Sequence, residues 1–382
     1  MTREQNTTTR IGPLRGVRVI ELAAIGPVPF CAMLLADMGA EILRIDPPGH
    51  EKAALPQEEA MMRGRSRLTL DLKQPDHQAL FRSLLPHVDL LLEGMRPGVL
   101  ERLGAGPEAC LKINPALIIG RMTGWGQDGP LAQIPGHDPN YLAVSGALHA
   151  MGYPDRPPLP PLNLVGDHGG GALYLAMGLL AALLHARATG EGQVVDAAML
   201  DGISSLLTPI HAMRKLGQWS DVRGTNMMDG SCPFGTSYET ADGRYVMVAA
   251  VEPKFYAALL AGLGLDPADL PPQYERSSWP KLRERFAAVF RTRSRDEWAE
   301  RLEGSDACVS PVLDLGEARA HPQARHRGTF AEPGDLPAAA PRFSRTGTRH
   351  APRDCGAASD CLQRWGATGT VLSALRSMEL GE

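Results

Sequence analysis

The sequence predicts an α/β protein, with a large domain built on a mostly parallel sheet and a smaller α+β domain after it. Three observations point there. Apolar strand-like runs alternate with helical stretches through the N-terminal half, a polar Gly/Asn/Asp-rich stretch interrupts the chain, and a hairpin pattern then opens a new series of elements. Strands that alternate with helices pair in parallel. A length of 382 residues also exceeds what one hydrophobic core usually serves.

Val17-Arg-Val-Ile-Glu-Leu22 is a strand, Phe30 to Met38 a helix stopped by Gly39, and Glu41-Ile-Leu-Arg-Ile-Asp46 a second strand before Pro47-Pro48. Ser66-Arg-Leu-Thr-Leu-Asp71, Asp89-Leu-Leu-Leu-Glu93 and Ala116-Leu-Ile-Ile-Gly-Arg-Met122 continue as strands, with helices over His77–Leu85 and Glu108–Ile113 between them. A long apolar helix runs from about Gly171 to Ala188, ended by Gly190, and Gln193 to Met199 reads as a strand or strand–helix junction. The expected organisation is 1–198 as the first part of the large domain and 199–235 as linker, most polar from Trp219 to Pro233. Residues 236–322 would be the small domain and 323–382 a return segment to the large domain with a C-terminal tail. In the small domain two alternating strands flank the Asp242-Gly243 turn, followed by helices Lys254–Leu263, Trp279–Phe290 and Arg295–Leu302; Leu362 to Leu380 is read as a terminal helix.

Lys and Arg total 39 against 43 Asp and Glu, a formal charge of −4, so no nucleic-acid or anionic-membrane partner is expected. The first ten residues are polar, which argues for a frayed tail and against a secretory signal. The apolar run after Gly171 falls short of the roughly 18–20 residues that span a bilayer. Six cysteines without CxxC spacing point to a reduced, cytoplasmic compartment.

His137 in Gly136-His-Asp-Pro-Asn-Tyr141 and Asp167 in Asn163-Leu-Val-Gly-Asp-His-Gly-Gly-Gly171 lie in Gly/Pro-marked breaks between apolar segments. Read alone, the histidine is more often structural, and the aspartate suits a helix N-cap. The two readings are compatible, because a carboxylate at a helix start can also orient an imidazole or attack an electrophile. Glu252 ends a strand before Pro253 opens a helix. Glutamate is a poor cap there, and carboxyl ends of strands are where α/β proteins place ligands. Asp46 has the position of a ribose-binding acid, yet Gly26-Pro-Val-Pro-Phe30 is not the glycine turn of a dinucleotide site, so no nicotinamide cofactor is expected. No metal-ligand spacing is present, and none is expected from His321 with His326. Arg63, Arg65, Arg67, Lys73, Arg96 and Arg102 form either a phosphate-binding cluster or a solvated basic face.

Several separated motifs, in order, resemble the family III coenzyme A transferase (CaiB/BaiF) superfamily. They are Leu14-Arg-Gly-Val-Arg-Val-Ile-Glu-Leu22, Leu35-Ala-Asp-Met-Gly-Ala40, Arg96-Pro-Gly98, Thr123-Gly-Trp-Gly-Gln-Asp-Gly-Pro130 and Gly192-Gln-Val-Val-Asp196. Gly136 to Tyr141, Pro160 to Asp167 and Val251-Glu-Pro-Lys-Phe-Tyr256 resemble its α-methylacyl-CoA racemase branch. The resemblance implies a large Rossmann-like domain and a small α+β domain in an interlocked homodimer. It implies His137 paired with Asp167 as one acid/base and Glu252 as the other, epimerising a 2-methyl-branched acyl-CoA. Coenzyme A would be part of the substrate thioester, with no other cofactor required.

By the same resemblance, coenzyme A contacts fall on Leu70, Asp71, Leu72 and Lys73; on Gly94, Met95, Arg96 and Arg102; on Gly136, Asp138, Pro139, Asn140 and Tyr141; and on Gly166, His168, Gly169, Gly170 and Gly171. The amides from Asp167 to Gly169 are the expected enolate donors. Pro47 stands where the racemases carry an arginine, leaving Arg63 or Arg65 as candidate substitutes, and His168 stands where an aromatic residue is expected. The alternatives are a CoA-transferase with Asp167 as nucleophile and an inactive CoA-thioester-binding protein. The region Ala249-Ala-Val-Glu-Pro253 lacks the glycine run of the transferases and favours the racemase.

Overall fold

The computed structural model describes residues 11–49, 59–331, 336–353 and 355–380. The expected frayed tail, and part of the insert between Pro47 and Arg63, lie outside them. The chain divides into two compact units. The first comprises the described residues up to Ser145, Pro161–Leu206 and those from Gly328 onward; the second comprises Gly146–Pro160 and Leu207–Arg327.

The first unit is built on six parallel strands: β1 (Arg18–Leu22), β2 (Glu41–Asp46), β3 (Arg65–Thr69), β4 (Leu90–Glu93), β5 (Ile118–Thr123) and β6 (Gln193–Ala198). Their order is β3-β2-β1-β4-β5-β6, so the sheet reverses direction between β1 and β4. In such sheets ligands collect at the carboxyl ends of the strands beside that reversal. Here the two loops touch: a Cβ on Gly94, just past β4, would lie 3.0 Å from the Ala24 Cβ, just past β1.

One face of the sheet presents Ile20, Leu22, Leu43, Ile45, Leu91 and Ile119 to the helix Pro75–Leu84 and to the C-terminal helices Ala358–Arg364 and Gly369–Leu380. The single terminal helix expected is thus two, broken at Gly366, whose φ of 80° is left-handed. Side chains alternate along a strand, and the neighbour of Ile119 faces the other way. A Cβ on Gly120 would sit 2.9 Å from Leu175 and from Leu179, so glycine lets the long helix cross β5 closely.

That long helix starts earlier than its apolar pattern suggests. It runs Leu164–Thr189, opening with a widened π-helical segment, Leu164–Ala172, before regular α-helix from Leu173. At 26 residues it is long and apolar enough to cross a membrane, contrary to the length read from sequence; 44% of its most apolar window is buried within the chain. The triple glycine lies in this widened segment and allows a close crossing. A Cβ on Gly170 would lie 2.8 Å from the Ile203 N, and one on Gly202 would strike the Gly170 carbonyl, so two backbones meet where the helix Met199–Leu206 crosses.

Glu21, Arg44, Arg65 and Asp46 form a buried ion network across β1, β2 and β3. Arg44 reaches Glu21 at 2.6 Å and Asp46 at 2.8 Å, and Arg65 reaches the second Glu21 oxygen at 2.6 Å. Asp46 is therefore a structural acid rather than a ribose ligand.

The second unit has an antiparallel sheet of β7 (Ser237–Glu239), β8 (Tyr245–Val248) and β9 (Val309–Pro311), with the Asp242-Gly243 turn where expected. Helices Pro253–Leu263, Trp279–Phe290 and Arg295–Leu302 pack on it around Phe234, Tyr238, Phe286, Phe290 and Trp298. The stretch 219–233, read as a linker, is an internally bonded loop of this unit. Asp229 accepts from the amides of Gly224, Thr225 and Asn226 at 2.8–3.1 Å, and Arg223 holds the carbonyls of His149, Tyr153 and Arg156 at 2.9 Å. Side-chain acceptors replace the hydrogen bonds that regular structure would supply.

Candidate active site

Three helix N-termini meet around Asp167. His137 is the N-cap of the helix Asp138–Val144, with extended backbone (φ −131°, ψ 171°) and an amide bonded to the Asn140 Oδ1 at 3.0 Å. Its imidazole is exposed. Asp167 lies in the first turn of the helix that starts at Leu164, where Asn163 takes the N-cap position expected for Asp167 itself. The third N-terminus belongs to the helix Pro27–Asp37, capped by Gly26 at φ 68°. A Cβ on Gly26 would lie 3.4 Å from the Asp167 Oδ2, so the carboxylate rests over that glycine.

Asp138 turns inward. It is 3% exposed, and its Oδ2 accepts the Asp167 amide at 2.7 Å. A Cβ on Gly166 would come within 2.3 Å of the same oxygen, so glycine is required there. The coenzyme A contact expected of Asp138 can come only from its main chain.

Two of the three amides expected to hold an enolate are engaged: that of Asp167 by Asp138, and that of His168 by the Asn163 carbonyl at 3.3 Å. Gly170 and Gly171 pack against Ile203 and Met199, so their small size serves helix packing. The donors on offer are instead the first-turn amides of the neighbouring helices, which have no partner within a helix. They are Asp138 at the first position of its helix and Val28, whose neighbours Pro27 and Pro29 carry no N–H.

Burial raises the Asp167 carboxyl above its ordinary value. A hydrogen bond from the Asn163 side chain works against this and the negative Asp138 adds to it, while His168 and His137 pull the other way. His168 is itself held below its ordinary value by burial, only partly offset by Asp167 and Asp138. Its ring stacks on Phe30 with centroids 4.3 Å apart. Tyr141 supports the His137 loop: its hydroxyl donates to the Gly136 carbonyl at 2.5 Å, its ring meets Trp125 edge-on at 4.7 Å, and burial pushes its phenol up to about 12. Gly124 makes room for that ring.

The expected coenzyme A segments Leu70–Lys73 and Gly94–Arg96 follow β3 and β4 at the carboxyl edge of the sheet. Leu70 and Leu72 point into the core, which leaves Asp71, Lys73 and the main chain to face a ligand. The Met95 amide is held by the buried Glu93 at 2.6 Å, and Glu93 pairs with Arg121 at 2.7 Å. Lys73, Arg96 and Arg102 are exposed. The candidate phosphate ligands Arg63 and Arg65 are not available: both are buried, Arg63 clasping Asp37 at 2.6 Å and Arg65 held by Glu21 and the Pro29 carbonyl. Their partners come from other strands and helices, beyond what local sequence shows.

Glu252 belongs to the second unit. It occupies the N-cap of the helix Pro253–Leu263, exposed and with no capping hydrogen bond from its side chain. The carbonyl just before it, on Val251, accepts from the Gln273 side chain at 2.7 Å and the Tyr274 hydroxyl at 2.8 Å, which fixes the approach to the helix. Beside it a cavity of about 410 Å³ is lined by Met213, Trp219, Met227, Met228 and Tyr274.

The family model described as CoA-transferase family III matches residues 14–354. The chain belongs to that family. It is 44% identical to the α-methylacyl-CoA racemase of Mus musculus over 336 residues, covering 87% of each protein, and 44% identical to that of Homo sapiens over 83% of this chain and 82% of the relative. It is 35% identical to the succinyl-CoA–D-citramalate CoA-transferase of Chloroflexus aurantiacus over 66% of this chain and 65% of the relative. A crystal structure of a CaiB/BaiF family protein from Brucella suis superposes with a TM-score of 0.79, at 24% identity, over 94% of this chain and 99% of that one, which shows the shared fold.

For this family III member the sequence reading missed the inward-turned Asp138 as a support of Asp167, and missed Gly26 beneath the carboxylate. Neither has a local signal, since each is defined by a residue far away in the chain.

Proposed function

We propose that this chain is a racemase that interconverts (2R)- and (2S)-2-methylacyl-CoA thioesters by 1,1-proton transfer through an enolate. The observation that carries the reading is the 44% identity to the mouse racemase over 87% of both chains, against 35% over about two thirds of a transferase.

The α-proton of a thioester is weakly acidic, so its removal requires a base on one face and fixed donors at the oxygen that becomes negative. His137, supported by Asp167, is the base or acid on one face, and Glu252 acts on the other. The first amides of Asp138–Val144 and Pro27–Asp37 point their positive helix ends toward the same neighbourhood and suit the enolate oxygen. Lys73, Arg96 and Arg102 are the exposed cations suited to the phosphates of coenzyme A, which enters as part of the substrate; no further cofactor belongs to this reading.

A homodimer is part of the proposal. Leu173, Met177 and Leu184, 51–71% exposed on the long helix, form an apolar stripe that a second copy would cover. Six cysteines scattered without CxxC spacing support a reducing, cytoplasmic location.

The test is incubation of one 2-methylacyl-CoA epimer in deuterated water without an acceptor acid. Exchange of the α-proton with inversion is expected. Absence of exchange, with coenzyme A moving only when a free carboxylic acid is supplied, would replace this reading by a transferase with Asp167 as nucleophile.

A further inference from the structure

Resting on the racemase reading, we propose that Asp138 is a positioning residue whose buried carboxylate locks Asp167 to His137. The residue follows His137 directly in the chain, and its side chain grips the main chain at position 167. One residue thereby couples the two groups of a single acid/base across a separation of thirty positions.

Three features support this. The 2.7 Å bond from the Asp167 amide to the Asp138 Oδ2 has the length of a charge-assisted hydrogen bond. The other oxygen, Oδ1, is buried with no hydrogen-bond partner, a state that costs free energy and persists where something else is gained. Gly166 is shaped around the carboxylate, since any Cβ there would overlap it. A carboxylate in this place also keeps negative charge beside Asp167 and so helps to hold its proton affinity up.

The other titratable groups that act on Asp167 are His137 and His168. The helix Pro27–Asp37 presents the uncharged Gly26 and Phe30, and Tyr141 remains neutral to about pH 12. The helix Met199–Leu206 offers Gly202 and Ile203, while its exposed Asp201 acts on Asp196.

The experiment compares wild type, D138N, D138A and G166A. D138N keeps an oxygen for the Asp167 amide and removes the charge; G166A keeps the charge and displaces the oxygen. Exchange of a 2-methylacyl-CoA in deuterated water is measured against pH, and the Asp167 carboxyl is titrated by NMR with ¹³C-labelled aspartate, assigned through D167N.

Expected are a kcat loss of roughly 10- to 100-fold in D138A and G166A with KM nearly unchanged, as misplacement of a catalytic pair produces. In D138N the acid limb and the Asp167 midpoint should both move to lower pH, because a negative neighbour is gone. A raised KM with kcat and midpoint unaltered would make Asp138 a substrate contact and overturn the proposal. If wild type shows no exchange at all, the racemase reading fails; the Asp167 midpoint in D138N then decides the coupling on its own, and an unmoved midpoint overturns it.

Discussion

Replacing Gly124 by alanine tests whether the Tyr141 ring is what holds the His137 loop in place. The added methyl carbon would lie 2.0 Å from the Tyr141 Cζ and 2.2 Å from its hydroxyl oxygen, far inside contact distance, so the ring has to move by more than an ångström. Moving it strains a packed site and gives up both the hydroxyl bond to the Gly136 carbonyl and the edge-on contact with Trp125. Overpacking, one hydrogen bond and one aromatic pair together amount to about 2–6 kcal/mol. For a unit of this size that is a fall in Tm of about 2–4 °C per kcal/mol. Gly136 immediately precedes His137, so exchange activity should fall roughly 100-fold for each ångström of displacement. Thermal unfolding followed by circular dichroism and α-proton exchange would be measured in G124A, Y141A and the double variant. With the ring absent the methyl has room, so G124A should add little to Y141A, a coupling of about 2–6 kcal/mol, the whole of its cost in the wild-type background. Wild-type Tm and rate in G124A, or an undiminished loss in the Y141A background, would refute the packing argument.

Other substitutions probe separate parts of the molecule. Glu21→Ala takes a buried carboxylate away from two guanidiniums, leaving Arg44 with Asp46 and Arg65 with main-chain carbonyls, and should cost about 3–5 kcal/mol, read as a marked drop in Tm. Asp167→Asn should abolish exchange yet raise Tm at alkaline pH. The native carboxyl has its pKa above the unfolded value, so its ionisation disfavours the fold; this penalty is full above the native pKa and vanishes below the ordinary value of about 3.9. The Tm advantage of the variant should therefore shrink on acidification, and a constant advantage would show another cause. Glu252→Ala, at an exposed position, should leave Tm unchanged while exchange collapses; wild-type exchange would remove the two-base scheme. Alanine at Lys73, Arg96 or Arg102 should raise KM for acyl-CoA roughly 2- to 10-fold, less at high salt, with kcat held.

Local pattern alone determined most of the elements. The strand Glu41–Asp46 and the helices Trp279–Phe290 and Arg295–Leu302 fall on their expected bounds, and the Asp242-Gly243 hairpin forms where its turn chemistry places it. Period-two and period-3.6 apolar spacing, Gly and Pro stops and an Asp-Gly turn are properties of neighbouring residues, so they can be read without a fold. The candidate acid/base residues were legible for a related reason: His137 and Glu252 stand at breaks between elements, and both occupy helix N-caps.

Tertiary structure decided what depends on a distant partner. The helix bearing Asp167 opens at Leu164, ahead of its glycines, and Gly170 meets the backbone of Met199–Leu206. Arg63 and Arg65 are consumed by Asp37 and Glu21, which no spacing rule connects to them. Asp138 faces Asp167 instead of solvent, and the polar stretch 219–233 folds on Asp229 instead of linking domains. A sequence carries the periodicity of each segment but not the identity of the residue that comes to lie across from it. Desolvation and pairing, which set the charge and orientation of a site, are properties of that opposing residue.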